Sequence, residues 1–272
     1  MKLFLDELIP PRSASEGDGA IETLHERTKW HRATFGGQLR SILRYLQLPE
    51  LIERAAAGHH DFRHCPRVTL PPPDPLCTPL ETVLANRRST RELSGPIPLA
   101  GVSTLLHHSL RVNRKAASSA APQVTLHMRP YPSAGGLYPI ETYLIANEVN
   151  GIPSCIAHYD TRRHELAILQ AHDGGAFAAV EIKARGTGVR TPLALVMTSV
   201  MQRVTAKYGA RGYRMALLEA GHASQNVCLA SEAMGWGSLV YASYFDDELS
   251  ELVGADGVTE TVVTAILIGA KT

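Results

Sequence analysis

The chain has 272 residues, long enough to bury a sizeable core as one large domain or one domain with an appendage, which excludes a peptide-sized binding module. Its 27 basic and 26 acidic side chains leave a formal charge of +1, so no global field favours nucleic acid or an anionic membrane surface. Cys65, Cys77, Cys155 and Cys228 are too few and too scattered for a disulfide framework or a paired-thiolate zinc site, and they fit a reducing compartment.

The N-terminus, Met-Lys-Leu-Phe-Leu-Asp-Glu-Leu-Ile-Pro-Pro, carries two acids before any signal-length apolar run, and no later stretch reaches about 18 apolar residues. A cytoplasmic protein with no membrane partner is expected. Residues 1–66 read as a basic helical extension: Ile42, Leu43, Leu46, Leu48, Leu51 and Ile52 fall at helical spacing with Arg40, Arg44 and Arg54 between them. His59, His60, His64 and Cys65 lie close together, yet no second ligand group of recognisable spacing follows, so no metal site is expected. Residues 67–78, with Pro71-Pro-Pro73 and Pro75, disfavour helix and read as an extended linker.

The main domain, 79–272, opens on Pro79-Leu-Glu-Thr-Val-Leu-Ala-Asn-Arg-Arg-Ser-Thr-Arg91. Leu80, Val83 and Leu84 offer a helical apolar face, and the basic cluster follows it. Arg87, Arg88 and Arg91 with Ser89 suit a phosphate through charge-assisted hydrogen bonds, or equally a solvated C-terminal turn whose cations complement the helix dipole. A second helix is predicted over Leu99–Leu110, with His107 and His108 at its edge. Residues 112–122, rich in Ala and Ser, read as a mobile loop able to act as a lid.

Arg129-Pro-Tyr-Pro-Ser-Ala-Gly-Gly-Leu-Tyr-Pro139 packs three prolines and a Gly-Gly pair ahead of a strand. The prolines fix φ, and Gly135 and Gly136 permit positive φ and close backbone approach. Either a tight turn or a cradle for a planar polar ligand fits this composition. Short strand-like runs follow at 141–147, 155–160 and 165–169, separated by turn signals, which suggests an antiparallel meander. Pro192–Val200 is a continuous apolar run, as a central strand covered on both faces requires.

Lys207-Tyr-Gly-Ala-Arg-Gly-Tyr-Arg214 leads into the longest helix, of about 22 residues, in which Tyr213, Leu217, Ala220, Ser224, Val227, Ser231 and Met234 recur at spacings of three and four. Gly221 inside it suggests close approach by another backbone, a partner subunit or a ligand. The helix ends at Gly235-Trp-Gly237; a strand over 239–242, a helix over 246–253 and a strand over 261–268 complete the chain.

Taken together, the basic cluster at 87–91, the loop at 129–139, Glu219-Ala-Gly-His-Ala-Ser-Gln-Asn226, Gly235-Trp-Gly-Ser238 and Ile268-Gly269 resemble the nitroreductase-like flavoproteins, and the SagB-type dehydrogenases among them. Lys207-Tyr208 with the following Gly-x-Arg-Gly-Tyr-Arg is similar to the azoline dehydrogenase signature. The resemblance implies an α+β fold, mostly antiparallel sheet flanked by helices, in an intertwined homodimer with FMN at the subunit interface. It implies oxidation of thiazoline or oxazoline rings to thiazoles or oxazoles, on a ribosomal precursor peptide or a carrier-bound peptide, with a cyclodehydratase as candidate partner. Arg87, Arg88, Ser89 and Arg91 would then serve the flavin phosphate and ring edge, and Lys271 the phosphate. Pro132, Ser133, Ala134 and Gly135 would wall the ring, with Gly235, Gly237 and Ser238 presenting amides to it. Tyr208 would be the base, its ionisation favoured by the neighbouring Lys207 ammonium, with orientation of the substrate or polarisation of its ring nitrogen as the other role open to Lys207. The chain departs from the pattern at two points: Trp236 stands between the glycines where Gly-Leu-Gly is commonest, and Gly136 replaces the Asn of nitro-reducing members. Rival readings are an NAD(P)H-dependent nitro, quinone or ene reductase and a flavin-binding scaffold without turnover.

Overall fold

The computed structural model describes residues 18–33, 35–58, 60–181 and 191–272. Three helices come first: α1 (Asp18–Arg27), α2 (Phe35–Gln47) and α3 (Pro49–Ala57). Strand β1 (Arg67–Thr69), helix α4 (Leu80–Asn86), the short strands β2 (Leu93–Ser94) and β3 (Ile97–Pro98), and α5 (Leu99–Leu110) follow. Strands β4 (Arg114–Ala117), β5 (Thr125–Met128), β6 (Ile140–Ala146), β7 (Val149–Asn150), β8 (Cys155–Asp160) and β9 (Glu165–Ala171) form the middle of the chain. The remainder is α6 (Ala176–Val180), β10 (Leu193–Val200), α7 (Met201–Tyr208), α8 (Arg211–Ala233), β11 (Trp236–Tyr241), α9 (Asp246–Val253) and β12 (Glu260–Lys271).

One antiparallel sheet runs in the order β1-β9-β8-β6-β10-β12-β11, with β2 added on β12, so the α+β class and the predicted meander both hold. β10 lies at its centre because it is apolar on both sides. Leu193, Leu195 and Met197 face a core built with α5 and α8, while Ala194 and Val196 face a second core closed by α6 and α9. Period-two alternation explains the division, and each fully buried Leu or Ile contributes about 1.5–3 kcal/mol. A third apolar cluster joins Tyr45 and Ile52 of the N-terminal helices to Val124, Leu137, Val204 and Ala216. No described helix is long and apolar enough to cross a membrane.

Three expectations change. Among the described residues a Cβ on Gly221 would meet nothing within 4 Å, so no second backbone of the same chain approaches it. Residues 112–122 are not one loop: Arg114–Ala117 pairs antiparallel with Thr125–Met128, leaving only the tip as a turn, which the Ser118 hydroxyl caps at the Ala121 amide. The inward stripe of α8 is also rotated in its first half. Gly212, Ala216, Glu219 and Ala223 are buried there, while Tyr213 and Leu217 are exposed. The physical reason is close approach: a Cβ on Gly212 would stand 3.0 Å from the Thr205 amide nitrogen of α7, so small residues take the inward positions. The stretch 67–78 begins as β1, in register with β9, and then runs along α5, where Ser103 donates to the Pro71 carbonyl and Thr104 accepts from the Asp74 amide.

Candidate active site

The loop between β5 and β6 is held from beneath. The buried Arg129 guanidinium donates to the Tyr131 hydroxyl at 2.8 Å and the Ile140 carbonyl at 2.7 Å. Ser133 accepts from the Tyr138 amide at 2.9 Å and donates to Glu219 Oε2. Gly135 and Gly136 have φ of 65° and 66°, the left-handed region that glycine enters without the side-chain penalty. A constrained cradle is therefore what the Pro and Gly content builds.

Lys207 and Tyr208, at the end of α7, converge on this loop. A Cβ added to Gly135 would lie 2.7 Å from the Tyr208 hydroxyl and 2.8 Å from Lys207 Nζ. Lys207 Nζ sits over two rings, 5.1 Å from the centroid of Tyr45 and 5.2 Å from that of Tyr208. Burial pushes the Lys207 ammonium below the usual lysine value and the Tyr208 phenol above the usual tyrosine value. Neither direction favours the expected phenolate: for each group the cause is removal from water, which disfavours its charged form.

Beside the pair lies a cavity of about 200 Å³, bounded by Tyr45 and Ile52 of the N-terminal helices, Ser118–Ala120 of the hairpin tip, Gly135 and Lys207. Arg211 and Arg214, from the signature that follows Lys207-Tyr208, face away from it. Arg214 Nε donates to the Thr28 hydroxyl at 2.6 Å, and the Arg211 guanidinium stacks 5.4 Å from the Trp30 ring centroid. They tie the N-terminal helices to the start of α8.

The other predicted residues gather elsewhere. Thr90 donates its amide to the Ser238 carbonyl at 3.0 Å, and Ser89 bridges to Ser238, so the basic cluster and the Gly235–Ser238 segment are adjacent. Arg87 is half-buried; Arg88, Ser89 and Arg91 are exposed. Arg88 turns back onto the Ala85 and Arg87 carbonyls. Gly235 has a φ of 74° and ends α8, whereas Gly237 is required by packing, since a Cβ there would lie 2.7 Å from Leu93 and 2.8 Å from Thr90. Trp236 fits because α5 offers Gly101 beneath its ring, where any Cβ would collide with the indole. Lys271 Nζ is taken up by both Glu232 oxygens at 2.8 Å.

These two groups stand apart along α8. Glu219 marks the loop end, and Cys228 and Glu232 mark the end near Arg87 and Lys271, nine to thirteen residues on, roughly 14–20 Å at the rise of an α-helix. Within one chain the structure thus joins Pro132–Gly135 to Lys207 and Tyr208, and joins Arg87–Arg91 to Gly235–Ser238 and Lys271. It does not join the two sets.

Sequence reasoning gave no role to Glu219, Arg129 or Tyr45. Glu219 is 2% exposed, and its Oε1 has no hydrogen-bond partner among the described residues. Burial pushes its carboxyl up to about 7, against the Ser133 hydrogen bond and the Arg129 charge. An acid three residues after Ala216 and four before Ala223, on one helical stripe with them, was the available signal. Among the described residues no His, Cys, Asp or Glu group of three forms a metal site; His59 lies outside them. The four cysteines are free.

Similarity to known proteins follows the same geometry. The chain is 31% identical over 176 residues to MJ1384 of Methanocaldococcus jannaschii, which carries a nitroreductase name, covering 64% of this chain and 83% of that one. It is 31% identical over 139 residues to the microcin B17-processing protein McbC of Escherichia coli, a match spanning 47% of this chain and about half (49%) of McbC. In fold it matches a chain of the E. coli microcin synthetase McbBCD complex with truncated pro-MccB17 bound, with a TM-score of 0.57 and 21% identity over 93% of this chain and 92% of that one. The Nitroreductase family model matches residues 84–270, and on that match the chain belongs to the Nitroreductase family.

Proposed function

We propose that the chain is an FMN-dependent azoline dehydrogenase that oxidises thiazoline or oxazoline rings of a peptide to thiazoles or oxazoles, after a separate cyclodehydratase has closed the ring. The observation that carries this reading is the convergence of Lys207 Nζ and Tyr208 Oη on one point above Gly135. The similarity to McbC supports the peptide as substrate. The residues suit FMN: a Cβ-free, positive-φ cradle for a planar ring, and the Arg87 and Arg91 guanidiniums, which make no ion pair among the described residues, for a phosphate.

Bound FMN supplies a two-electron acceptor for the hydride that aromatisation removes from one ring carbon. The chain must take the proton from the neighbouring carbon. Lys207 suits this best, because its burial favours the neutral amine, which accepts the carbon-bound proton at Nζ and becomes the ammonium. Tyr208, held as the neutral phenol, donates a hydrogen bond to the ring nitrogen and orients the azoline. The roles first expected of the two residues are thereby exchanged.

Pro132–Gly135 and Arg87–Arg91 belong to a site formed by two copies in this reading. The α8 residues that mark the two sets stand roughly 14–20 Å apart along the helix, longer than the five-carbon ribityl chain that joins a flavin ring to its phosphate. The exposed apolar residues of α4 and α8, Leu80 at 63%, Leu84 at 55% and Leu218 at 62%, support the homodimer as the way that face is covered.

Mass spectrometry of an azoline peptide tests the proposal: purified, yellow protein removes two hydrogens per ring. Lys207→Ala and Tyr208→Phe each lower the rate by about 10²–10⁴. Full oxidation by both variants sinks the mechanism even where flavin is retained. Anaerobic bleaching by NADPH, with no mass change in the peptide, selects the reductase reading that the family name favours.

A further inference from the structure

The N-terminal helices contribute one aromatic side chain to the surroundings of Lys207. Tyr45 is 5% exposed on α2, inside the cluster that joins Ile52, Leu137, Val204 and Ala216. Its ring stands against Lys207 Nζ at 5.1 Å, while Tyr208 supplies a second ring at 5.2 Å. Tyr45 and Lys207 both line the cavity of about 200 Å³, and the Tyr208 ring contacts the same amine. A flexible four-carbon side chain has many rotamers, and two flanking rings select the few that aim Nζ at the space above Gly135.

We infer that Tyr45 is a positioning residue for Lys207, so that the N-terminal helices complete the catalytic pocket as well as flanking it. This rests on Lys207 being the proton acceptor of the proposed reaction. The ionisable side chains placed against Lys207 are the phenols of Tyr45 and Tyr208; among the described residues no carboxylate or second cation acts on its ammonium. Burial lowers the amine's proton affinity, and the two ring faces partly restore it by attracting the cation. The Tyr45 hydroxyl itself stays neutral, pushed up to about 12 by burial and by Tyr208, so the ring face, and not the hydroxyl, acts on Lys207.

The test labels the full-length protein with acetic anhydride across a pH series and reads the acetylated fraction of the Lys207 peptide by mass spectrometry. Tyr45→Phe keeps the ring face and leaves the labelling midpoint in place. Tyr45→Leu keeps apolar volume and removes the face; its midpoint moves down by about 0.5–1.5 pH units. Tyr45→Met serves the same purpose where Tyr45→Leu does not fold. A midpoint unchanged or raised in the aliphatic variants, or lowered equally in Tyr45→Phe, overturns the assignment. Labelling reports on Lys207 whatever the substrate is. A wild-type protein that fails to oxidise azolines therefore sinks the proposed function without touching this result, and an aliphatic variant with a wild-type midpoint sinks this inference without touching that function.

Discussion

The two clusters of candidate site residues differ in how they are held. Around Gly135 every group is fixed by packing: Ser133 between the Tyr138 amide and Glu219, Lys207 between two rings, and Arg129 beneath the loop. Around Ser238 the backbone is fixed by strand pairing, while Arg91 lies on an exposed surface and Arg88, also exposed, is held only by the Ala85 and Arg87 carbonyls. The first cluster is held in place by its own packing and hydrogen bonds, which leaves little room for change. The second is a more exposed set of cations, held by a few backbone and carboxylate partners at the surface.

The sharpest way to break this contrast is Gly135→Val. Positive φ alone costs a side chain about 1–2 kcal/mol, and the new atoms collide with both Lys207 and Tyr208. We expect azoline oxidation to vanish and Tm to fall by roughly 2–8 °C in a thermal melt. An unchanged Tm with full activity shows that the loop yields and is not preorganised.

Glu219→Gln comes next. The native carboxyl is raised to about 7 from an ordinary 4.5, so its stabilising contribution is complete below about pH 4.5 and is lost as pH rises through 7. The unfolding free energy of the wild type, relative to Glu219→Gln, falls by about 3 kcal/mol between pH 4.5 and pH 8. Urea denaturation at the two pH values measures it, and parallel curves sink the assignment.

Arg91→Ala probes the other cluster. It weakens FMN retention about tenfold in equilibrium dialysis and leaves stability within about 0.5 kcal/mol. A large loss of stability instead places Arg91 in the fold. Lys271→Ala has the smallest effect: a half-exposed pair with Glu232 is worth at most about 1 kcal/mol, and flavin binding stays within twofold because the ammonium is already engaged. A tenfold loss of flavin returns Lys271 to the phosphate.

Much of the fold was legible because periodicity settles it. The helices Leu99–Leu110 and Asp246–Val253 and the strand Cys155–Asp160 begin and end where their apolar spacing begins and ends. The centrality of β10 followed from its unbroken apolar run. The hairpin at 114–128 was hidden by its Ala and Ser content, since its strands are specified by register with each other and not by their own propensity. The rotated face of α8 was hidden for a related reason: bulky Tyr213 and Leu217 look like core residues, yet the backbone of α7 comes so close at Gly212 that the start of the helix turns a small residue inward. In the site, the cradle and the Lys207–Tyr208 pair were readable from composition and motif. Their protonation was not, because desolvation depends on Tyr45, more than 160 positions away in the chain, and the neighbour that neutralises Lys271 likewise comes from another element.

The spacing of the two clusters along α8 also has a thermodynamic side. Where two copies complete each flavin site, cofactor binding and self-association are one linked equilibrium, and each strengthens the other by the same factor. Dilution then releases flavin and separates subunits together, added FMN drives monomers to pair, and the cofactor occupancy of a preparation becomes a function of its protein concentration.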